Sequence, residues 1–400
     1  DSTWYNRTDD PEMLRLDSIA DLRTGIILEE VEAIAPNARF VVFDACYNGD
    51  YREDDCIAGH YIMAPGRCVV TFANSVNVLQ DKSAFDLLGL LGEGLRIGAW
   101  AKNIHILESH VIGDPTYRFK AAHPELEINS MALKRDNGFW LGQLDNAVPD
   151  IQNLAMIRLW ENDYPQLPGI LLDKCATSPY SVVRYNAFRL LESLNGPEYK
   201  KALMLAAYDR FEFLRRIAVT RMGRIGDEEF IPVLIDVYAK DRNAARIVFN
   251  ISEAIRCFDT QKVKKAIETY FAGKTFYHAQ EEKQELLDKL VERDGLSPGE
   301  SSTREILDPE GKIRWRQSRI SFLKNRPYHQ HVTEYLTLLG DEQAPEILRV
   351  RMAEALAWFN LSVRRHEIAD AGRKLLARGN CSPELSKELQ RMINRVESKK

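Results

Sequence analysis

The stretch Arg39-Phe40-Val41-Val42-Phe43-Asp44-Ala45-Cys46-Tyr47-Asn48-Gly49-Asp50 decides the reading of the N-terminal region. Its apolar and aromatic run, flanked by polar residues, is the pattern of a short buried strand. A cysteine placed straight after such a strand sits at the carboxyl edge of a sheet, where ligands bind in open α/β folds. Gly49 lets the chain turn sharply and leaves the sulfur of Cys46 accessible. Thiol chemistry needs the thiolate, so an active cysteine also needs a base or a positive charge nearby. By itself, a lone cysteine in this setting reads as a buried structural one.

Outward from that stretch, two more strands are predicted, at Cys68–Ala73 and, less strongly, at Ile104–Leu107. Helix-like patterns fill Ile19–Ala33 and Ala84–Trp100, the latter broken by Gly89, Gly92, Gly94 and Gly98. Strands alternating with helices predict a parallel sheet covered by helices over residues 1–120. Residues 121–150 read as a linker. From 151 to 400 the pattern is almost wholly helical. Val183-Arg184, Leu214-Arg215 and Ala245-Arg246 recur at a fixed spacing, each opening an apolar helix, and Val350-Arg351 repeats the theme out of phase. Helix-ending pairs, Gly226-Asp227 and Gly340-Asp341, fall between units. Such a period predicts an α-solenoid, with an irregular helical bundle as the alternative. Residues 294–311, rich in Gly, Pro and Ser, are predicted to form an exposed, mobile loop.

The 400 residues are 45% hydrophobic and 28% charged, with a net charge of -5. This composition is neither that of a disordered chain nor that of a globally basic nucleic-acid binder. No apolar run approaches the length of a membrane span. The six cysteines include no Cys-x-x-Cys pair, so a zinc ribbon is not indicated. No metal or other cofactor is expected.

On these residues the N-terminal region resembles the gingipain-like cysteine peptidases, which share the caspase-like fold. The resemblance runs through FDACYNGD at 43–50, Cys56-Ile57-Ala58-Gly59, the segment Gly66–Ser75, Ile97-Gly98-Ala99-Trp100 and Gly113-Asp114-Pro115-Thr116. The repeats over about 165–275 and 330–380 resemble HEAT repeats. The expected architecture is therefore the C-terminal portion of a caspase-like α/β sheet domain, followed by an all-α HEAT-like solenoid.

The resemblance implies a cysteine endopeptidase with a Cys–His dyad and Cys46 as nucleophile. Its partner histidine, followed by glycine, is expected upstream of Asp1, since no histidine precedes His60. Half of the oxyanion hole, the glycine N–H, would lie there too, the other half being the Cys46 N–H. Asp44 is expected in the primary specificity pocket, where a carboxylate would favour a basic residue; the alternative is a backbone-capping role. Asn74 and Ser75 are expected in the pocket wall. His60 reads as a helix-face histidine rather than a substitute base. His105 and His110 read as structural or exposed, and His329-x-His331 as surface. The basic, aromatic segment 312–328 suits a solvated or peptide-binding face better than nucleic acid. A protein or peptide substrate, or an associated N-terminal fragment, is the expected partner. The resemblance implies a bacterial, exported protein. The competing reading is a catalytically inactive peptidase-like scaffold whose solenoid binds proteins.

Overall fold

The computed structural model describes residues 10–77, 86–103, 108–291 and 295–398. The chain is mostly helical with one small sheet, and divides into two compact units, Asp1–Asn162 and Asp163–Lys400.

The first unit opens with α1 (Pro11–Thr24) and α2 (Leu28–Ile34), then β1 (Phe40–Val42), α3 (Ile57–Met63) and β2 (Val70–Asn74). Two short helices follow, α4 (Gly89–Gly92) and α5 (Ile97–Ala101), then β3 (Ser109–Gly113), α6 (Ile128–Met131), α7 (Asn137–Leu141) and α8 (Pro149–Glu161). The predicted helix 84–100 is thus two pieces: Gly94 adopts φ +82, a left-handed conformation glycine takes without penalty. The sheet order is β1-β2-β3. β1 runs parallel to β2, with Val41 opposite Thr71, whereas β3 runs antiparallel, with Val111 opposite Phe72. The sheet is therefore mixed rather than all-parallel. The candidate strand 104–107 lies outside the described residues.

Every residue of β2 is buried, Thr71 and Asn74 included, as befits the central strand of the three. Trp100 from α5 covers one side, edge-on to Phe40 at 5.8 Å and to Phe72 at 5.0 Å. Its indole N–H donates to the Asp86 carbonyl oxygen at 2.9 Å, which satisfies the one polar atom of a fully buried ring. α3 packs on β2 and β3. The segment 121–150, read as a linker, is part of this unit: Ile128, Met131 and Trp140 are buried, and α7 packs on α8. The all-helical stretch read from 151 therefore begins inside the first unit, with α8.

The second unit holds α9 (Leu167–Thr177), α10 (Ser181–Leu194), α11 (Pro197–Ala206), α12 (Glu212–Ile225), α13 (Ile231–Lys240), α14 (Ala245–Ile255) and α15 (Thr260–Phe271). It continues through α16 (Ala279–Asp288), α17 (Pro298–Leu307), α18 (Ile313–Phe322), α19 (Val332–Gly340), α20 (Glu346–Leu356), α21 (Arg365–Ala377) and α22 (Pro383–Glu397). Helices pack on their next and next-but-one neighbours: α9 on α10 and α11, α12 on α14, α13 on α15, α18 on α20, α20 on α22. The recurring arginines do recurring work. Arg184 pairs bidentately with Asp209 at 2.7 and 2.8 Å, and Arg215 pairs with Asp241 at 2.6 Å. Each arginine also donates to a carbonyl oxygen in the loop before its helix, Ser178 for the first and Asp209 for the second.

The predicted loop 294–311 is largely α17. Ser297 accepts from the Glu300 N–H, and Glu300 accepts from the Ser297 N–H at 2.8 Å, a reciprocal cap, with Pro298 at the first helical position. Ile306 is fully buried. The Ser, Pro and Gly that suggested a loop are helix-start signals and small residues under Tyr328.

Candidate active site

Cys46 lies four residues past the last residue of β1, in a turn that spans residues 46–49, and its side chain is exposed. The turn is built by its neighbours. Phe43 N–H extends the strand ladder to the Phe72 carbonyl oxygen at 2.8 Å. Tyr47 takes the left-handed conformation, φ 55, and its N–H donates to Val76. Gly49 donates to the Asn74 carbonyl oxygen at 2.9 Å. A Cβ at Gly49 would lie 2.6 Å from the Ala73 Cβ, so glycine is required for close approach, while the left-handed residue is Tyr47.

The predicted site residues separate into two groups. Asp44 and Cys46 are both exposed, Asp44 on the stretch that leads from β1 into the turn and Cys46 at its first position. Asn74 and Ser75, expected to line a pocket, are instead buried in the frame beneath it. Asn74 Nδ2 donates to the carbonyl oxygens of Phe43 at 2.9 Å and Ala45 at 3.4 Å, and its Oδ1 accepts from Ser109 Oγ at 2.6 Å. Asn74 thus ties the exit of β1 to the start of β3. Ser75 Oγ donates to the Glu108 carbonyl oxygen at 3.3 Å and lies 2.9 Å from His110 Nε2. Where β1 leaves the sheet, Asn74 supplies a donor to the Phe43 and Ala45 carbonyl oxygens, while the Glu108 carbonyl oxygen accepts from both the N–H and the hydroxyl of Ser75.

Sequence reasoning missed a third brace. Asp50 is buried and accepts two hydrogen bonds from Arg52, both at 2.7 Å, and Arg52 also donates to the Ser75 carbonyl oxygen at 2.9 Å. The guanidinium holds the Asp50 carboxyl below its usual range. The Asp-x-Arg spacing straight after the turn glycine was the available signal. Tyr51 stacks edge-on against His110 at 4.8 Å.

Among the other candidates, His60 on α3 lies 3.2 Å from Asp55, a partner in its own surface turn. His105 lies outside the described residues. His329, expected at the surface, is buried: Nδ1 lies 2.9 Å from Ser362 Oγ and Nε2 2.9 Å from the Gly223 carbonyl oxygen. Burial pushes its pKa down to about 4. His331 is half-buried and lies 3.1 Å from Glu334. Among the described residues no group of three or more His, Cys, Asp or Glu is placed to hold a metal ion. Also among them, no helix is long and apolar enough to cross a membrane.

The molecule is thus a mostly helical protein whose small mixed sheet presents a cysteine turn at one edge. No protein-family model matches the chain, and no curated protein matches it. Among solved structures, human deoxyhypusine hydroxylase in complex with glycerol is similar at 14% identity, over 60% of this chain and 99% of that chain, with a TM-score of 0.25. At that score the likeness carries no argument about this chain.

Proposed function

We propose that the first unit carries the nucleophile of a cysteine endopeptidase, with Cys46 as the attacking group. The observation that supports this most directly is the exposure of Cys46 on a turn that three separate braces, through Asn74, Gly49 and Arg52, hold at the carboxyl end of β1. A rigid frame under an exposed thiol is what positioned nucleophilic attack requires. In the reaction, Cys46 Sγ bonds to the scissile carbonyl carbon, the C–N bond breaks and the amine leaves with a proton. Water then cleaves the thioester and frees the carboxylate. The resemblance to gingipain-like peptidases implies a histidine partner to carry the proton from the thiol to the leaving amine. Asp44, exposed two residues before Cys46, would select a basic side chain by direct charge pairing.

The second unit fits a HEAT-like solenoid for substrate or partner binding. Its support is the next-but-one helix packing and the repeated Arg184–Asp209 and Arg215–Asp241 pairs. The test is hydrolysis of fluorogenic Arg- and Lys-peptides by the intact protein and by Cys46→Ala. Loss of turnover in the variant, with labelling of Cys46 by a peptidyl acyloxymethyl ketone, is expected. Equal turnover in both proteins rejects the assignment. A protein that neither cleaves nor labels would support the inactive-scaffold reading instead.

A further inference from the structure

The second unit holds an opening of about 250 Å³ between α12, α14 and the segment that leads out of α18. Arg224, Asn250, Glu253, Asn325 and Arg326 line it, with Phe249 among them, 64% exposed. Its charges do not balance. Glu253 is shared by two guanidiniums, Arg256 at 2.9 Å and Arg326 at 2.6 Å. Among the described residues no carboxylate pairs with Arg224. Of the charged side chains that line the opening, Arg224 and Arg326 stand against Glu253, which leaves one positive charge there (2 − 1 = 1). The nearby Cys257 adds no negative charge, because burial pushes its thiol up to about 12.

The surroundings of Arg224 deepen the imbalance. Burial lowers its pKa, and so does the repulsion of Arg221 and Arg395, while the Glu192 carboxylate opposes the shift. Arg221 is neutralised by Glu192 at 2.7 Å. Arg395 has no carboxylate partner among the described residues either, and lies 3.6 Å over the Trp358 ring. A place on the last turn of α12 favours one cation there. It does not account for Arg224 and Arg395 lying near one another with no carboxylate in ion-pair contact among the described residues, an arrangement that costs free energy until an anion arrives.

Size and wall chemistry narrow the ligand. The opening takes one anionic group with its stem, not a string of phosphates, and Glu253 in the wall repels a densely charged chain. A planar guanidinium matches a carboxylate bidentately. The exposed Phe249 offers an apolar face beside it. We propose that this opening binds a carboxylate side chain of an acidic peptide segment, with Arg224 as the fork that grips it and Phe249 as the seat for a neighbouring apolar residue.

The test uses the full chain carrying Cys46→Ala, so that binding is read apart from any cleavage, and a fluorescein-labelled peptide of alternating Glu and Leu. Polarisation should show saturable binding that weakens as salt rises. Arg224→Gln is expected to lower affinity about ten-fold and Phe249→Ala about three-fold, while Arg314→Gln, an exposed arginine on α18, changes nothing. Arg224→Gln should melt no lower than the parent, since it removes an unpaired charge, and Phe249→Ala reports on the site if that variant fails to fold. Absence of binding by the parent, equal affinity in the Arg224→Gln and Phe249→Ala variants, or displacement of the peptide by a tighter-binding oligothymidylate overturns the proposal.

Discussion

His329 Nε2 lies 2.9 Å from the carbonyl oxygen of Gly223, a residue 106 positions earlier in the chain. The same ring reaches Ser362 through Nδ1, and the His329 N–H donates to the Cys257 carbonyl oxygen at 3.3 Å. One imidazole therefore joins α12, the end of α14 and the loop after α20. Gly226, in the left-handed conformation at φ +71, packs its bare Cα against this ring, and a Cβ there would overlap it.

That arrangement makes stability depend on pH. His329 is neutral in the fold, with a pKa near 4, against an ordinary value of 6.5. The unfolded chain binds the proton first as pH falls, so the contribution is complete above pH 6.5 and is lost between 6.5 and 4. The expected loss is roughly 3 kcal/mol across that window. The Arg364 guanidinium, which donates to the His329 carbonyl oxygen at 3.2 Å, opposes protonation further. Denaturant titrations of the wild type and His329→Gln across this range check it: the variant should be less stable at neutral pH and lose less on acidification. Parallel curves would remove His329 from the account.

Asn74→Ala should loosen the cysteine turn. It leaves the Phe43 and Ala45 carbonyl oxygens and Ser109 Oγ without their shared partner, at a cost of about 1–3 kcal/mol. Hydrogen exchange at residues 45–49 should quicken more than exchange within β2. Unchanged exchange in the turn would mean that Asn74 does not hold it.

The cysteines should react in an order set by burial. Iodoacetamide near neutral pH is expected to modify Cys46 first. Cys175 and Cys257 should resist, because burial pushes both thiols up to about 12. Cys68 is also buried, and its thiol is raised by the same cause. Peptide mapping by mass spectrometry reads the order directly. Labelling of Cys257 as fast as Cys46 would show that the helical packing around it opens.

The Arg184–Asp209 pair joins α10 to the turn after α11, and both side chains are nearly buried. Asp209 also accepts from the Phe211 N–H at 2.7 Å. Removing either partner strands the other, so Arg184→Ala and Asp209→Ala should each cost about 3 kcal/mol. The double variant should lose much less than the sum. Additive losses measured by chemical denaturation would show that the two residues act independently.

Much of this was legible in local sequence. Arg39–Cys46 and Cys68–Ala73 read as holding strands because runs of β-branched and aromatic residues fit a covered sheet, and α10, α12 and α14 read as repeats because their arginines recur in step. The same local reading misjudged 294–311, where Ser297, Pro298 and Gly299 carry helix-start chemistry that resembles loop composition. It also placed Asn74 and Ser75 in a pocket wall. A side chain's direction at a strand end depends on the strand beside it, and β3 supplies Ser109 and His110 from the far side.

Short-range periodicity and turn chemistry were enough to read β1 and β2, the place of Cys46 after its strand and the arginines that recur, but not α6, α7, α17 or β3. Long-range packing set the antiparallel run of β3, the burial of His329 against Gly223 and the gathering of Arg224 with Arg326 and Glu253 around one opening. Those outcomes depend on which distant backbone atoms and charges meet, and no pattern of neighbours along the chain encodes them.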